Sequence, residues 1–94
     1  MIQLYQAEWC PYSSAVRERL TELGVDYVTR QVAPTVEDRD DLREKTGADT
    51  IPVVVLEDGE VVGGDTQEII AVLDDRFDAW EWEDGHKRQR AAHR

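Results

Sequence analysis

Residues 2–6 alternate apolar and polar side chains (Ile2, Leu4, then Gln6), which predicts a short strand. Pro11 suits a first helical position. Ala15, Val16, Leu20 and Leu23 follow at helical spacing and Gly24 fits the terminator site, so a helix is expected over 11–23. Tyr27, Val28 and Val32 mark a second strand over 26–32, stopped by Pro34 and Thr35. Thr35 and Asp38 resemble a capping pair ahead of a charged helix over 36–46, with Leu42 as its core contact and Gly47 at its end. The most apolar run, 52–56, is joined by Asp58-Gly59 to Glu60-Val61-Val62, which predicts a hairpin. Gly63-Gly64 breaks the second hairpin strand. Asp65, three residues before Glu68, then caps a last helix whose Ile69, Ile70, Val72, Leu73 and Phe77 form an apolar face. The predicted order is β-α-β-α-β-β-α: an α/β domain in which a right-handed crossover makes the first two strands parallel, the hairpin adds antiparallel strands, and helices cover both faces of a mixed four-stranded sheet.

The chain has 94 residues, 40% hydrophobic and 34% charged, which suits one globular domain. No apolar run approaches the roughly 20 residues that span a bilayer, and the N-terminus lacks the pattern of a secretory signal, so a cytoplasmic protein without a membrane role is expected. Eleven basic against twenty-one acidic residues give a net charge of −10, which argues against nucleic acid as a partner. The acid excess, with only Lys45 and Lys87 as lysines, fits a cytoplasmic protein of a high-salt organism and equally an ordinary acidic one. The periodic pattern ends near residue 78. Residues 79–94 place Trp80, Glu81, Trp82, Glu83 and Asp84 before Lys87, Arg88, Arg90 and Arg94, and are expected to form a flexible charged tail or to fold back on the acidic body. The reading is therefore a domain over 1–78 with a tail over 79–94.

A single cysteine excludes an intramolecular disulfide. That residue, Cys10, opens Cys10-Pro11-Tyr12-Ser13 between a strand and a helix. A sulfur at a helix N-terminus faces unpaired N–H groups and the positive dipole end, both of which favour the reactive thiolate. Ser13 stands where a dithiol motif has its second cysteine, so Cys10 would depend on an external thiol; the alternative is a buried, inert cysteine. A second feature is Thr50-Ile51-Pro52. Pro52 suits the first position of a strand, and a cis bond there would present the Ile51 backbone to an extended ligand. A third is Gly63-Gly64-Asp65-Thr66, a capped turn whose following helix offers N–H groups to a carboxylate.

In this order the three motifs resemble the glutaredoxin family of the thioredoxin-like fold, over about residues 2–77. The resemblance implies a thiol-disulfide oxidoreductase with Cys10 as its nucleophile and Tyr12 flanking the thiol. It implies that Thr50, Ile51 and cis-Pro52 hold the cysteinyl part of glutathione, and that Gly64, Asp65 and Thr66 hold its γ-glutamyl end. Arg39 matches a position that contacts the glycine carboxylate. The family's other cations are missing: a lysine three residues before the nucleophile is Ala7 here, and an arginine before the proline motif is Asp49. Gln67 stands where the family has an aspartate, so Asp65 is expected to substitute for it. The natural co-substrate is therefore expected to be glutathione or a γ-glutamyl thiol without that carboxylate, such as γ-glutamylcysteine.

The resemblance implies a monothiol mechanism acting on S-thiolated proteins, in a monomer. Two alternatives follow from it. One is a carrier in which Cys10 of two copies holds a [2Fe–2S] cluster, although dedicated carriers read C-G-F-S rather than C-P-Y-S. The other is a non-catalytic thiol-binding module like the N-terminal domain of a glutathione transferase, ranked last because the chain is expected to lack the helical second domain. His86 and His93 fall in the tail, so neither a Cys/His dyad nor a zinc site is expected.

Overall fold

The computed structural model describes residues 1–94. Its elements are β1 (Ile2–Gln6), α1 (Pro11–Glu22), β2 (Tyr27–Gln31), a single 3-10 turn (Val36–Asp38), α2 (Asp40–Thr46), β3 (Val53–Val55), β4 (Val61–Val62), α3 (Thr66–Arg76) and α4 (Glu83–Ala92). The sheet runs β2-β1-β3-β4, with β1 parallel to β2 and antiparallel to β3, and β3 antiparallel to β4. The expected mixed four-stranded sheet is therefore present in the expected order.

Strand periodicity divides the interior in two. Leu4 pairs with Val54 and Val54 with Val62, and these three face a cluster with Ile2, Val16, Leu20, Leu23, Leu56, Ile69 and Leu73 under α1 and α3. One residue along, Tyr5 pairs with Val53, and both turn to the opposite face to meet Leu42 of α2. Leu4, Val16, Leu20, Val54, Ile69 and Leu73 are all fully enclosed, each worth roughly 1.5 to 3 kcal/mol of burial.

The structure alters two expectations. The helix expected over 36–46 is interrupted: Arg39 takes φ −92° and ψ 43°, and α2 begins only at Asp40. The cause is the Arg39 side chain, which is drawn inward to three backbone carbonyls instead of lying on a helix surface. The Thr35 hydroxyl bonds the Asp38 carboxylate at 2.9 Å, so that pair braces the 3-10 turn without capping a backbone N–H.

Residues 79–94, expected to form a flexible tail or to fold back on the acidic body, take the second course and carry α4, which lies against α1. Charge composition alone hid the partners. Arg90 pairs with Glu18 at 3.2 Å and with the buried Glu22, Arg94 pairs with Glu18, and Arg19 reaches Glu83 at 3.4 Å. Glu83 and Asp84 suit the positive end of the helix, and Lys87 bonds Glu83 one turn later at 2.8 Å. Trp80 covers Gly24, where a Cβ would lie 2.4 Å from the indole ring. No helix is long and apolar enough to cross a membrane.

Gly24 and Gly47 both have left-handed backbones, with φ +68° and +78°, but only Gly24 is covered by a side chain. In urea unfolding, Gly47→Ala is expected to lose about 1 kcal/mol from backbone strain alone. Gly24→Ala is expected to lose about twice that, because the Trp80 ring must move. With Trp80 replaced by alanine, the two glycine substitutions should cost the same.

Candidate functional site

The connectivity brings the three motifs to one edge of the sheet. Because β3 runs against β1, the end of β1 lies beside the start of β3, as the Tyr5–Val53 pair shows. Because β4 runs against β3, its end returns to that same edge and delivers Gly63-Gly64-Asp65 next to Ile51-Pro52. Both α1 and α3 begin there, with their N–H ends facing the same space.

Cys10 is the N-cap of α1, in extended conformation (φ −81°, ψ 119°), and its Sγ accepts the Ser13 N–H at 3.4 Å. The residue is 5% exposed, between Trp9 and Tyr12, which are 66% and 63% exposed. Ser13 is fully buried, and its Oγ accepts the Ala7 N–H at 3.4 Å. That leaves the hydroxyl proton for the sulfur. Burial pushes the Cys10 thiol up, but the Ser13 hydroxyl, the backbone N–H groups of Ser13 and Tyr12, and the charge of Arg17 outweigh it and hold the thiol below its ordinary value. The arrangement thus favours the nucleophilic form of the sulfur.

Beside the thiol lies a groove of about 460 Å³, lined by Tyr12 and Ala15 of α1, by Thr50 and Ile51, and by Gly64, Asp65, Thr66 and Gln67 at the start of α3. The Ile51-Pro52 peptide is cis. Pro52 is fully buried, and the Ile51 N–H and C=O take no part in the backbone hydrogen bonds of the turns and loops. Gly64 has φ +98°, a conformation that favours glycine, and Asp65 caps α3 by accepting the Gln67 N–H at 2.8 Å. The other Asp65 carboxylate oxygen takes no hydrogen bond or ion pair.

Tyr12, Thr50, Ile51, Gly64, Asp65 and Thr66 therefore share one groove; Cys10 and Pro52 do not line it, but each lies within two residues of one that does. Arg39 lies elsewhere. It is 6% exposed and donates to the carbonyls of Ala33 at 2.9 Å, Pro34 at 3.2 Å and Asp49 at 3.0 Å. Through Asp49 it clips the segment leading into Thr50-Ile51-Pro52, a structural role that spacing along the chain does not reveal. No cation lines the groove. No three His, Cys, Asp or Glu side chains converge as a metal site, and His86 stacks on Trp80 with ring centroids 5.4 Å apart.

No sequence motif marks Arg17, although it stands seven residues, or two helical turns, beyond Cys10. Its guanidinium reaches back along α1 to Gln6, to the Ala7 carbonyl at 3.4 Å and to Glu8 at 3.0 Å.

A four-stranded sheet with a cysteine-capped first helix, a cis-proline before β3 and a capped turn before α3 defines a thioredoxin-like domain. Within that fold the chain belongs to the glutathione S-transferase N-terminal domain family, which it matches over residues 4–81. It is also 26% identical, over 79% of its own length and 99% of the other's, to an uncharacterized glutaredoxin-like 8.6 kDa protein in the rubredoxin operon of Clostridium pasteurianum. Among solved structures it is similar to a glutathione S-transferase of Methylobacillus flagellatus with glutathione bound (27% identity, TM-score 0.65). It is likewise similar to a glutathione S-transferase domain-containing protein of Marinobacter aquaeolei (29% identity, TM-score 0.67). These two alignments cover 81% and 83% of this chain but only 37% and 40% of the transferases.

Removing the Ser13 hydroxyl takes a hydrogen bond from the charged form of Cys10, so Ser13→Ala is expected to raise the thiol pKa. The pH dependence of iodoacetamide alkylation, followed by intact mass, measures this directly; an unchanged midpoint would show that the hydroxyl does not serve the sulfur.

Proposed function

We propose that this protein is a thiol-disulfide oxidoreductase that reduces mixed disulfides by a monothiol mechanism, with a γ-glutamyl thiol as co-substrate. The observation that carries this reading is a sulfur held toward its thiolate beside a groove with free backbone groups and a helix N-terminus. In the first step the Cys10 thiolate attacks the sulfur of the small thiol in a mixed disulfide. The old S–S bond breaks, the target leaves as a thiolate that takes a proton from water, and Cys10 carries the small thiol as a new disulfide. In the second step the thiolate of another small-thiol molecule attacks that adduct, which releases the oxidised small disulfide and regenerates the Cys10 thiolate. Ser13 cannot resolve the adduct, so the second thiol comes from solution. The partners are low-molecular-weight thiols and S-thiolated proteins, in a reducing compartment such as the cytoplasm.

The groove supports a choice between co-substrates. A γ-glutamyl head fits it, with its carboxylate at the α3 N–H groups and its ammonium at the free oxygen of Asp65. A further carboxylate finds no cation. Arg39 is committed to carbonyls, and Asp49 stands before the groove with Arg43 no nearer than 3.9 Å. γ-Glutamylcysteine, which lacks the glycine carboxylate of glutathione, is therefore the favoured thiol.

Membership of the transferase N-terminal family supports a second reading, a module that binds the thiol without reacting. The cluster-carrier reading has less support, because Cys10 is the only cysteine and four ligands would require two copies and two added thiols.

Intact-mass analysis of the reduced protein with glutathione disulfide and with bis-γ-glutamylcystine separates the first two. A single adduct, reversed by excess thiol and absent in Cys10→Ser, is expected, and it should form several-fold faster with the γ-glutamylcysteine disulfide. No adduct, with thiol binding retained in Cys10→Ser, would favour the binding module.

A further inference from the structure

Gln6 is a stability anomaly. It ends β1 at 1% exposure, its Oε1 accepts from Arg17, and its Nε2 is the buried side-chain polar atom without a partner. An orphaned buried donor costs on the order of 1 to 3 kcal/mol, so an apolar side chain would serve the core better. What the amide does provide is a seat for a guanidinium.

That guanidinium shares an acceptor with the thiol residue. The Ala7 carbonyl accepts the Cys10 N–H at 3.1 Å and Arg17 Nη1 at 3.4 Å, while the Ala7 N–H bonds the hydroxyl of Ser13. One peptide segment thus ties together Cys10, Ser13 and Arg17.

We propose that Arg17 is a positioning residue of the thiol site, its guanidinium held by Gln6 at the Ala7 carbonyl so that its positive charge biases Cys10 toward the thiolate. This rests on Cys10 being the nucleophile proposed above. Two titratable groups share the field. Glu8, 72% exposed and 3.0 Å from Arg17, opposes the cation, and Tyr27 of β2, whose hydroxyl burial pushes up, lies within reach of both charges. Arg17 also lies among the groups that hold the thiol down, after the hydrogen bonds of Ser13 and Tyr12. Because Glu8 and solvent cancel part of the charge, the effect is smaller than that of an isolated buried pair.

The test is the pH profile of Cys10 alkylation by iodoacetamide in the full chain, for the wild type, Arg17→Met, Arg17→Lys, Gln6→Leu and Glu8→Gln. Arg17→Met is expected to raise the midpoint by about 0.5 pH unit, which near pH 7 slows alkylation about threefold. Arg17→Lys should restore most of the shift, and Glu8→Gln should lower the midpoint below that of the wild type. Gln6→Leu should raise it while leaving the urea midpoint equal or higher, a separation that a purely structural role would not give. Added salt at about 1 M should narrow the gap between wild type and Arg17→Met. If folded Arg17→Met keeps the wild-type midpoint, if Arg17→Lys raises it as far as Arg17→Met does, or if Glu8→Gln leaves it unmoved, the assignment is overturned. An Arg17-dependent midpoint in a protein that exchanges with no disulfide would overturn the proposed function alone; disulfide exchange with an Arg17-independent midpoint would overturn only Arg17.

Discussion

The structure turns on the position of one sulfur, which serves as the N-cap of the first helix. A helix start must satisfy backbone N–H groups, and serine, threonine or aspartate would ordinarily supply the acceptor. Here Cys10 Sγ does so, at 3.4 Å from the Ser13 N–H. The same contact that begins α1 therefore favours the charged form of the thiol. Structure and chemistry are coupled at that atom: whatever holds α1 in place also holds the environment that favours the thiolate. The ion pairs and the Trp80–Gly24 contact that lay α4 on α1 extend this support well beyond the site.

Strand direction does the rest. A β1-β3-β4 arrangement with alternating directions returns three loops to one edge, and the two helices that start there point their N–H ends into the groove. Core packing on both faces fixes that geometry, since Leu4 and Val54 on one side and Tyr5 and Val53 on the other lock the register of β1 against β3. A slip of one residue would turn the inward side chains to the wrong face and move Pro52 away from the cysteine loop.

The parts legible in the sequence were those written in local patterns. Alternation at Ile2 and Leu4, the helical spacing of Val16 and Leu20, Asp58-Gly59 and the Asp65 cap each follow from neighbours a few residues apart, and the parallel pairing of β1 with β2 follows from the β-α-β connection. The groove was legible through Thr50-Ile51-Pro52 and Gly64-Asp65-Thr66 because each motif carries its own backbone chemistry. What escaped depends on partners distant in the chain. Arg39 meets carbonyls of three separate residues, and so sits in the frame of the loop and not in the groove. Trp80 fits a notch made 56 positions earlier by Gly24, and Arg90 meets Glu22 across 68 positions. Composition marked that segment as charged but had no means to show that its charges were matched.

The central claim is that the thiol and the neighbouring groove act as one site. It is tested most directly by comparing backbone amide NMR spectra of the reduced protein with those of its Cys10 adduct with γ-glutamylcysteine. The account predicts that the largest changes beyond the Cys10 loop fall on Ile51, Thr66 and Gln67. Changes confined to residues 9–14, or centred on the cavity lined by Tyr5, Leu42 and Lys45 on the opposite face, would contradict it.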